Sequence, residues 1–312
     1  MSKDQSIEQS RLEHRLRANR FVLTAEVTPP VSCSADDLIR KAMPLAGLAD
    51  AVNVTDGAGA RAHMSASAAA SLLLKAGIEP ILQLTCRDRN RIALQAELMG
   101  AAALGIRNLL LLGGDKPEAG DQPDAKAVFD LDARTLTQTA RLMRDTGELP
   151  SGQKVGGEAS FFLGTADAPI DPPADWQPEG LKAKRAAGAQ FVQTQFCMDT
   201  GIVRRYVARL AEAGLGDLLL LIGVNPLRSA KSAQWMRTHL FGTIIPDALI
   251  ARMEKAKDPA AEGLAICVEL IEELATIPGI AGVHVMAPGN DAAVPQVIAE
   301  ARRRVAGEKV TA

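Results

Sequence analysis

A chain of 312 residues, 47% apolar and only 3% aromatic, can bury a large core built from Leu, Ile, Val and Ala. Its 35 basic and 37 acidic side chains are interspersed, which excludes the single-sign face that nucleic acid or an anionic membrane would need. Four isolated cysteines, at positions 33, 86, 197 and 267, have no CxxC spacing; they exclude a structural zinc and fit a reducing cytoplasm.

The first twenty residues are charged throughout and lack the apolar stretch of a secretory signal. They read as a surface helix, an extension over 1–20 that precedes one catalytic domain over 21–312. No apolar run approaches the roughly 18 residues that a membrane helix requires. Eight short apolar runs then follow in order: FVLTAEV from Phe21, DAVNVTD from Asp50, PILQLTC from Pro80, NLLLLGGD from Asn108, SFFLGT from Ser160, FVQTQF from Phe191, LLLLIGV from Leu218 and GVHVMA from Gly282. Segments of helical periodicity separate most of them, at 65–76, 90–104, 132–144, 178–187, 202–213 and 292–303. Strand and helix alternating eight times predict an α/β fold, a (β/α)8 TIM barrel in a single domain.

Two connections are long. Gly113 to Asp132 is rich in Gly, Pro and Asp, and is expected to be a loop folded over the barrel mouth. Ser229 to Thr276 reads as several extra helices between strands 7 and 8, broken at Gly242 and Pro246.

Strand residues alternate between faces, so each run splits into two sets. Phe21, Leu23, Ala25 and Val27 are expected to face the helices, and Val22, Thr24, Glu26 and Thr28 the barrel axis. The polar set is Asn53 and Thr55 in the second run, Gln83 and Thr85 in the third, and Gln193 and Gln195 in the sixth. These residues describe a mouth of amides and hydroxyls at the carboxyl ends of the strands, where barrel chemistry sits. Glu26 is its lone strand carboxylate, and Asp115 follows the fourth strand. A carboxyl group among amides is a candidate proton donor; the same position also suits a structural carboxylate that only accepts bonds from its neighbours. Gly113 and Gly114 allow close approach of a flat ligand, or simply make a turn.

The missing motifs narrow the choice. No GxGxxG follows a strand and no phosphate loop is present. His14, His63, His239 and His284 are scattered and assemble neither a metal site nor a Ser-His-Asp triad; His284 reads as a structural histidine of the last strand. Trp176 and Trp235 read as core or rim.

AEVTPP, VNVTDGA, QLTCRDRNR, LLLLGGDKP, LKAKRAAGAQFVQTQ and IGVNPL occur in an order that resembles methylenetetrahydrofolate reductases, from Phe21 to about Ala287. The resemblance implies a flavin-containing barrel that interconverts 5,10-methylenetetrahydrofolate and 5-methyltetrahydrofolate in one-carbon metabolism and methionine biosynthesis. FAD would carry the hydride, and NADH or NADPH would donate it. Glu26 then matches the acid of an E-x-x-P-P motif, and Asp115 a carboxylate near flavin and pterin. Gln195 matches a glutamine that meets folate and nicotinamide in turn, and Lys184 a lysine at the cofactor phosphates. The resemblance also lays Thr55, Asp56, Ala58, Gln83, Gly113, Gly114, Phe129 and Asp130 along the cofactor, requires no metal and leaves room for a homo-oligomer.

Departures fall mostly on cofactor contacts: Gln83 replaces a histidine, Gly113 an arginine, Ser232 a glutamine, and the stretch from Met286 to Asn290 an aromatic residue and an arginine. A weaker hold on FAD, or a donor other than free nicotinamide, is the corresponding expectation. Other readings of the same polar mouth are a folate-dependent methyltransferase barrel, a folate binder without flavin chemistry, and a phosphate-binding aldolase or lyase barrel. The last would place Gly-rich turns after both the seventh and eighth strands, and only Gly289 fits well.

Overall fold

Period-two alternation in the apolar runs produces two separate cores. The outward set, with Leu23, Ala25 and Val27, packs under the helices, while Val22, Ala51, Ile81, Leu110, Phe162, Phe191 and Leu221 fill the interior. In the computed structural model, which describes residues 9–305, eight strands carry this pattern. They are β1 (Val22–Val27), β2 (Ala51–Val54), β3 (Pro80–Thr85), β4 (Asn108–Leu112), β5 (Phe162–Asp167), β6 (Phe191–Phe196), β7 (Leu219–Val224) and β8 (Ile280–Val285). Neighbours in sequence pair in parallel, and β8 pairs back onto β1, so the sheet closes into the expected barrel.

The fifth and eighth strands are displaced from their apolar runs, β5 starting at Phe162 and β8 ending at Val285. Ladder partners set strand ends: Phe162 lies opposite Asn108, and Val285 opposite both Ala25 and Val224.

The helices are α1 (Arg11–Arg17), α2 (Ala35–Ala42), α3 (Ala66–Lys75), α4 (Arg91–Ala103), α5 (Ala133–Thr146), α6 (Glu179–Ala187) and α7 (Thr200–Glu212). After β7 come α8 (Ala230–His239), α9 (Asp247–Lys255) and α10 (Pro259–Ala275), and α11 (Ala293–Val305) follows β8. The expected excursion between strands 7 and 8 is thus three helices. Side-chain caps fix the starts of several: Asn90 for α4, Asp132 with Thr135 in a capping box for α5, and Asp199 for α7.

The segment at 1–20 departs from its expectation. Residues 1–8 lie outside the described residues, and α1 is no surface helix. Leu12 and Leu16, four apart and so on one face, are 0% and 1% exposed and join the interior cluster at the amino ends of the strands. Charges that read as solvent-facing serve this docking: Arg15 pairs with Asp50 at 2.9 Å, and Arg17 lies 5.8 Å from the centre of the Phe162 ring. Asp50, also bonded to Arg302, accepts from Leu23 N at 2.8 Å, tying plug, β1 and α11 together.

The long loop after β4, expected over the mouth, contributes no residue to the wall of the main cavity there. Val128 N donates to Arg87 O at 2.7 Å and Phe129 N to Cys86 O at 3.1 Å, and Gly120 packs on the Ala60 carbonyl. Backbone pairing holds it along the rim formed by β2 and β3.

Candidate active site

Because interior side chains point the same way at matched heights, the polar residues of β1, β2, β6 and β8 meet in one layer above the apolar interior. Asn53 and Gln193 exchange two amide bonds: Asn53 Nδ2 donates to Gln193 Oε1 at 2.6 Å, and Gln193 Nε2 to Asn53 Oδ1 at 3.0 Å. Gln193 Nε2 also donates to Thr24 Oγ1 at 3.3 Å, and Thr24 Oγ1 lies 3.0 Å from His284 Nδ1. This layer floors a cavity of about 450 Å³ at the carboxyl ends of the strands, into which Glu26, Gln83, Lys184, Gln195 and His284 converge.

Glu26 sits at the edge of that floor with a quarter of its side chain exposed (24%). Gln83 Nε2 donates to its Oε2 at 3.4 Å, and His284 Nε2 stands 3.8 Å from the same oxygen. Thr24 has one hydroxyl proton and two acceptors within reach, Val283 O at 3.2 Å and His284 Nδ1. When the proton goes to Val283 O, Nδ1 must donate to Thr24 and Nε2 presents its lone pair to Glu26. When it goes to Nδ1, Nε2 carries the hydrogen and faces Glu26 as a donor. One hydroxyl rotation thus sets the tautomer of a neutral His284, whose Nε2 approaches Glu26 at 3.8 Å, a contact rather than a hydrogen bond. His284 was expected to be structural; its place beside Glu26 follows from the β1–β8 seam, where Thr24 lies opposite His284. The cue was its spacing of two from Met286, another wall residue.

Elsewhere on the wall, Lys184 of α6 donates to Ala166 O at 2.6 Å. Gln195 Oε1 accepts from Phe196 N at 2.9 Å, so its NH2 has no protein partner among the described residues. Asp167, which sequence reading did not single out, accepts from Tyr206 OH. Burial, then the adjacent Asp167 charge, pushes the Tyr206 hydroxyl well above its ordinary value, so it remains a donor.

The other expected residues lie on the adjoining rim after β2, β3 and β4 rather than in the cavity wall. Asp56 accepts from Thr85 N at 2.8 Å and Thr85 Oγ1 at 2.9 Å, and pairs with Arg89. Ala58 is in a short 3-10 turn entered through Gly57, whose φ of 59° and contact with the Arg87 guanidinium leave no space for a Cβ. Gly114, at φ 95°, packs on Thr85, and Gly113 precedes it. Asp115 is exposed, near enough for its charge to act on Arg87. Phe129 adopts a φ of 42°, and Asp130 is held by Arg91 through contacts of 2.6 and 2.7 Å, which depress its carboxyl to about 2. Two buried polar atoms on this rim have no partner among the described residues, Thr55 Oγ1 and Arg89 Nε. Buried polar groups are normally satisfied, so this pair marks a place for a polar ligand. Among the described residues no three His, Cys, Asp or Glu side chains cluster as metal ligands, and no helix is long and apolar enough to cross a membrane.

The family model for methylenetetrahydrofolate reductase matches residues 11–302. The chain is 26% identical over 238 residues to a probable methylenetetrahydrofolate reductase (NADPH) of Caenorhabditis elegans, a match covering 75% of this chain and 34% of that protein. With the 5,10-methylenetetrahydrofolate reductase of Pectobacterium carotovorum subsp. carotovorum it shares 27% over 164 residues, 53% of this chain and 49% of the relative. The match thus spans between a third and a half of these relatives' length. Among solved structures, a Clostridium thermocellum protein that binds two copies of 5-methyl-5,6,7,8-tetrahydrofolic acid superposes with a TM-score of 0.61 at 13% identity, covering 94% of this chain and 98% of that one. DmoA from Hyphomicrobium sulfonivorans superposes at 0.52 with 11% identity, covering 90% and 86%. At such identities the likeness concerns the fold alone.

Proposed function

The chain belongs to the methylenetetrahydrofolate reductase family, and from that premise we propose that it interconverts 5,10-methylenetetrahydrofolate and 5-methyltetrahydrofolate, with Glu26 as the acid. The observation that carries this reading is the setting of Glu26: half-buried at the end of β1, between Gln83 and His284, in a cavity shared with Gln195 and Lys184. The folate bound by the C. thermocellum neighbour agrees with the substrate class.

Glu26 delivers its proton to N10 of the folate. The bond from N10 to the bridging carbon breaks, its electron pair stays on N10, and the carbon remains doubly bonded to N5 as an electrophile. A hydride added there gives the methyl product, and its removal runs the reaction backwards. Gln83 Nε2 steadies Glu26 Oε2 at 3.4 Å, and the His284 ring stands 3.8 Å from the same oxygen. Gln195 offers its NH2 to the pterin, and the Asn53–Gln193 pair keeps the floor rigid.

The orphaned Thr55 Oγ1 and Arg89 Nε, with the close-packed glycines at 57 and 114, fit a polar, flat cofactor on the rim. We assign that place to FAD, held by Thr55, Asp56, Ala58, Gly113, Gly114 and Asp115, with Phe129 beside it and Lys184 toward its phosphates. Asp130, committed to Arg91, is the least available of the expected set. FAD supplies the hydride exchange when bound, with NADH or NADPH as donor; the name of the C. elegans relative points to NADPH. Free thiols at all four cysteines suit a cytoplasmic location.

The test is anaerobic mixing of FAD-loaded protein with 5-methyltetrahydrofolate while flavin absorbance is followed. Bleaching is expected, and Glu26→Gln should cut turnover by about 10²- to 10⁴-fold with FAD still bound, the usual range for a general acid. A flavin that binds yet never bleaches with any folate would refute the assignment.

A further inference from the structure

The most exposed large apolar side chain among the described residues is Phe241, 90% accessible, and it is also part of the cavity wall. Its position is built by the backbone. After α8 the chain reverses through Leu240 to Thr243, with Thr243 N donating to Leu240 O at 3.2 Å and Gly242 at φ 73°. Those are features of a type II turn, which requires a positive φ at its third residue and puts its second residue at the outer corner. Phe241 is that corner residue. Gly242 seats the turn: a Cβ there would lie 2.7 Å from Ala168 Cβ and 3.7 Å from Gln195 Cγ. Beyond the turn, Ile244 N donates to Phe196 O at 2.9 Å and receives Met198 N on its own carbonyl at 2.9 Å, a parallel bridge that extends β6. The corner is thus fastened beside Gln195 while its ring stays bare. Beneath the turn, Thr243 Oγ1 is buried with no partner among the described residues.

An exposed phenyl group gains nothing for folding, since its apolar area remains in water. The same ring over a planar ligand gains that burial together with stacking. The cavity below offers amides, a carboxylate and the His284 imidazole at its floor but no other phenyl ring, since Phe162 and Phe191 stack in the interior cluster, on the far side of the polar layer. We propose that Phe241 is a positioning residue for the folate, its ring closing on the outer face of the planar group that Gln195 contacts from the wall. The orphaned polar atoms assigned to the cofactor lie after β2 and β3, whereas the Phe241 turn is seated on Ala168 and Gln195, the glutamine assigned to the substrate. This inference rests on the folate reading above.

Binding of 5-methyltetrahydrofolate to the purified protein, measured by titration calorimetry, tests it, with Phe241→Ala and Phe241→Trp compared with wild type. Phe241→Ala is expected to raise Kd about tenfold, a typical loss for a stacking side chain, and to raise KM more than it lowers kcat. Its urea midpoint should not move, because the ring is unburied, and Phe241→Trp should keep the wild-type affinity. Unchanged folate affinity in Phe241→Ala refutes this role while leaving the folate reading intact. A wild-type protein that binds no folate refutes both. A fall in FAD affinity without one in folate affinity would move the ring to the cofactor and also overturn the proposal.

Discussion

Truncating Asn53 to Ala measures what holds the cavity floor together. Asn53 and Gln193 are buried and linked by two amide hydrogen bonds of 2.6 and 3.0 Å. Removing Asn53 forfeits both, at about 1 kcal/mol each, and leaves Gln193 Oε1 buried without a donor, a further cost of about 1–3 kcal/mol. Gln193 Nε2 retains Thr24 at 3.3 Å, so the total should be about 3–5 kcal/mol. Gln193→Ala should cost more by the same reasoning, since it also forfeits the Thr24 contact and leaves both amide atoms of Asn53 unpaired. The two shared bonds are lost only once in the double variant, and no orphaned amide remains, so it should fall short of the sum by at least about 2 kcal/mol. Urea unfolding provides the values, with circular dichroism and tryptophan fluorescence required to coincide so that a single transition is being measured. An Asn53→Ala cost below about 1 kcal/mol, or full additivity in the double variant, would refute a floor held by this pair.

Thiol titration should find one reactive cysteine in the native protein, exposed Cys33, and four after denaturation. Burial pushes Cys86 to about 11 and Cys197 to about 12, and raises Cys267 as well, so little thiolate exists at pH 8; fast labelling of a second thiol would contradict this. In Gly164→Ala the new Cβ would lie 2.2 Å from Phe191 Cζ, inside the Phe162–Phe191 stack. Overpacking of that kind costs about 1–3 kcal/mol, and an unchanged thermal midpoint would show the interior to be looser than described. Asp130, depressed to about 2 by Arg91, stabilises fully above its ordinary 3.8 and ceases to do so as pH falls through about 2. The stability difference between wild type and Asp130→Asn should therefore be constant above pH 4 and vanish near pH 2; a constant difference down to pH 2 would count against the Arg91 pairing.

The barrel was legible because its two physical requirements, buried strands and amphipathic helices, write periods of two and about 3.6 into the chain. Glu26, Gln83 and Gln195 could be assigned to one mouth for the same reason: alternation tells which residues share a face. Relations across the closure seam were not legible. His284 reads as an isolated histidine until β8 meets β1 and sets it beside Thr24 and Glu26. In α1 the density of charge concealed a two-residue apolar face, Leu12 and Leu16, whose destination depends on residues from all eight strands. Phe241 was invisible because its exposure depends on a turn fixed by Gly242 against Ala168.

The plug at the base of the barrel also bears on the order of assembly. Helix α1 precedes every strand in the chain, yet Leu12 and Leu16 can be covered only after Phe162, Phe191 and Leu221 have emerged and curled around them. A seven-residue helix is too short to persist in water by itself. Its packing partners lie far along the chain, the distant kind of pairing that slows folding in general. The helix thus cannot be seated before the strands that cover it, so its docking reports on closure of the barrel as a whole.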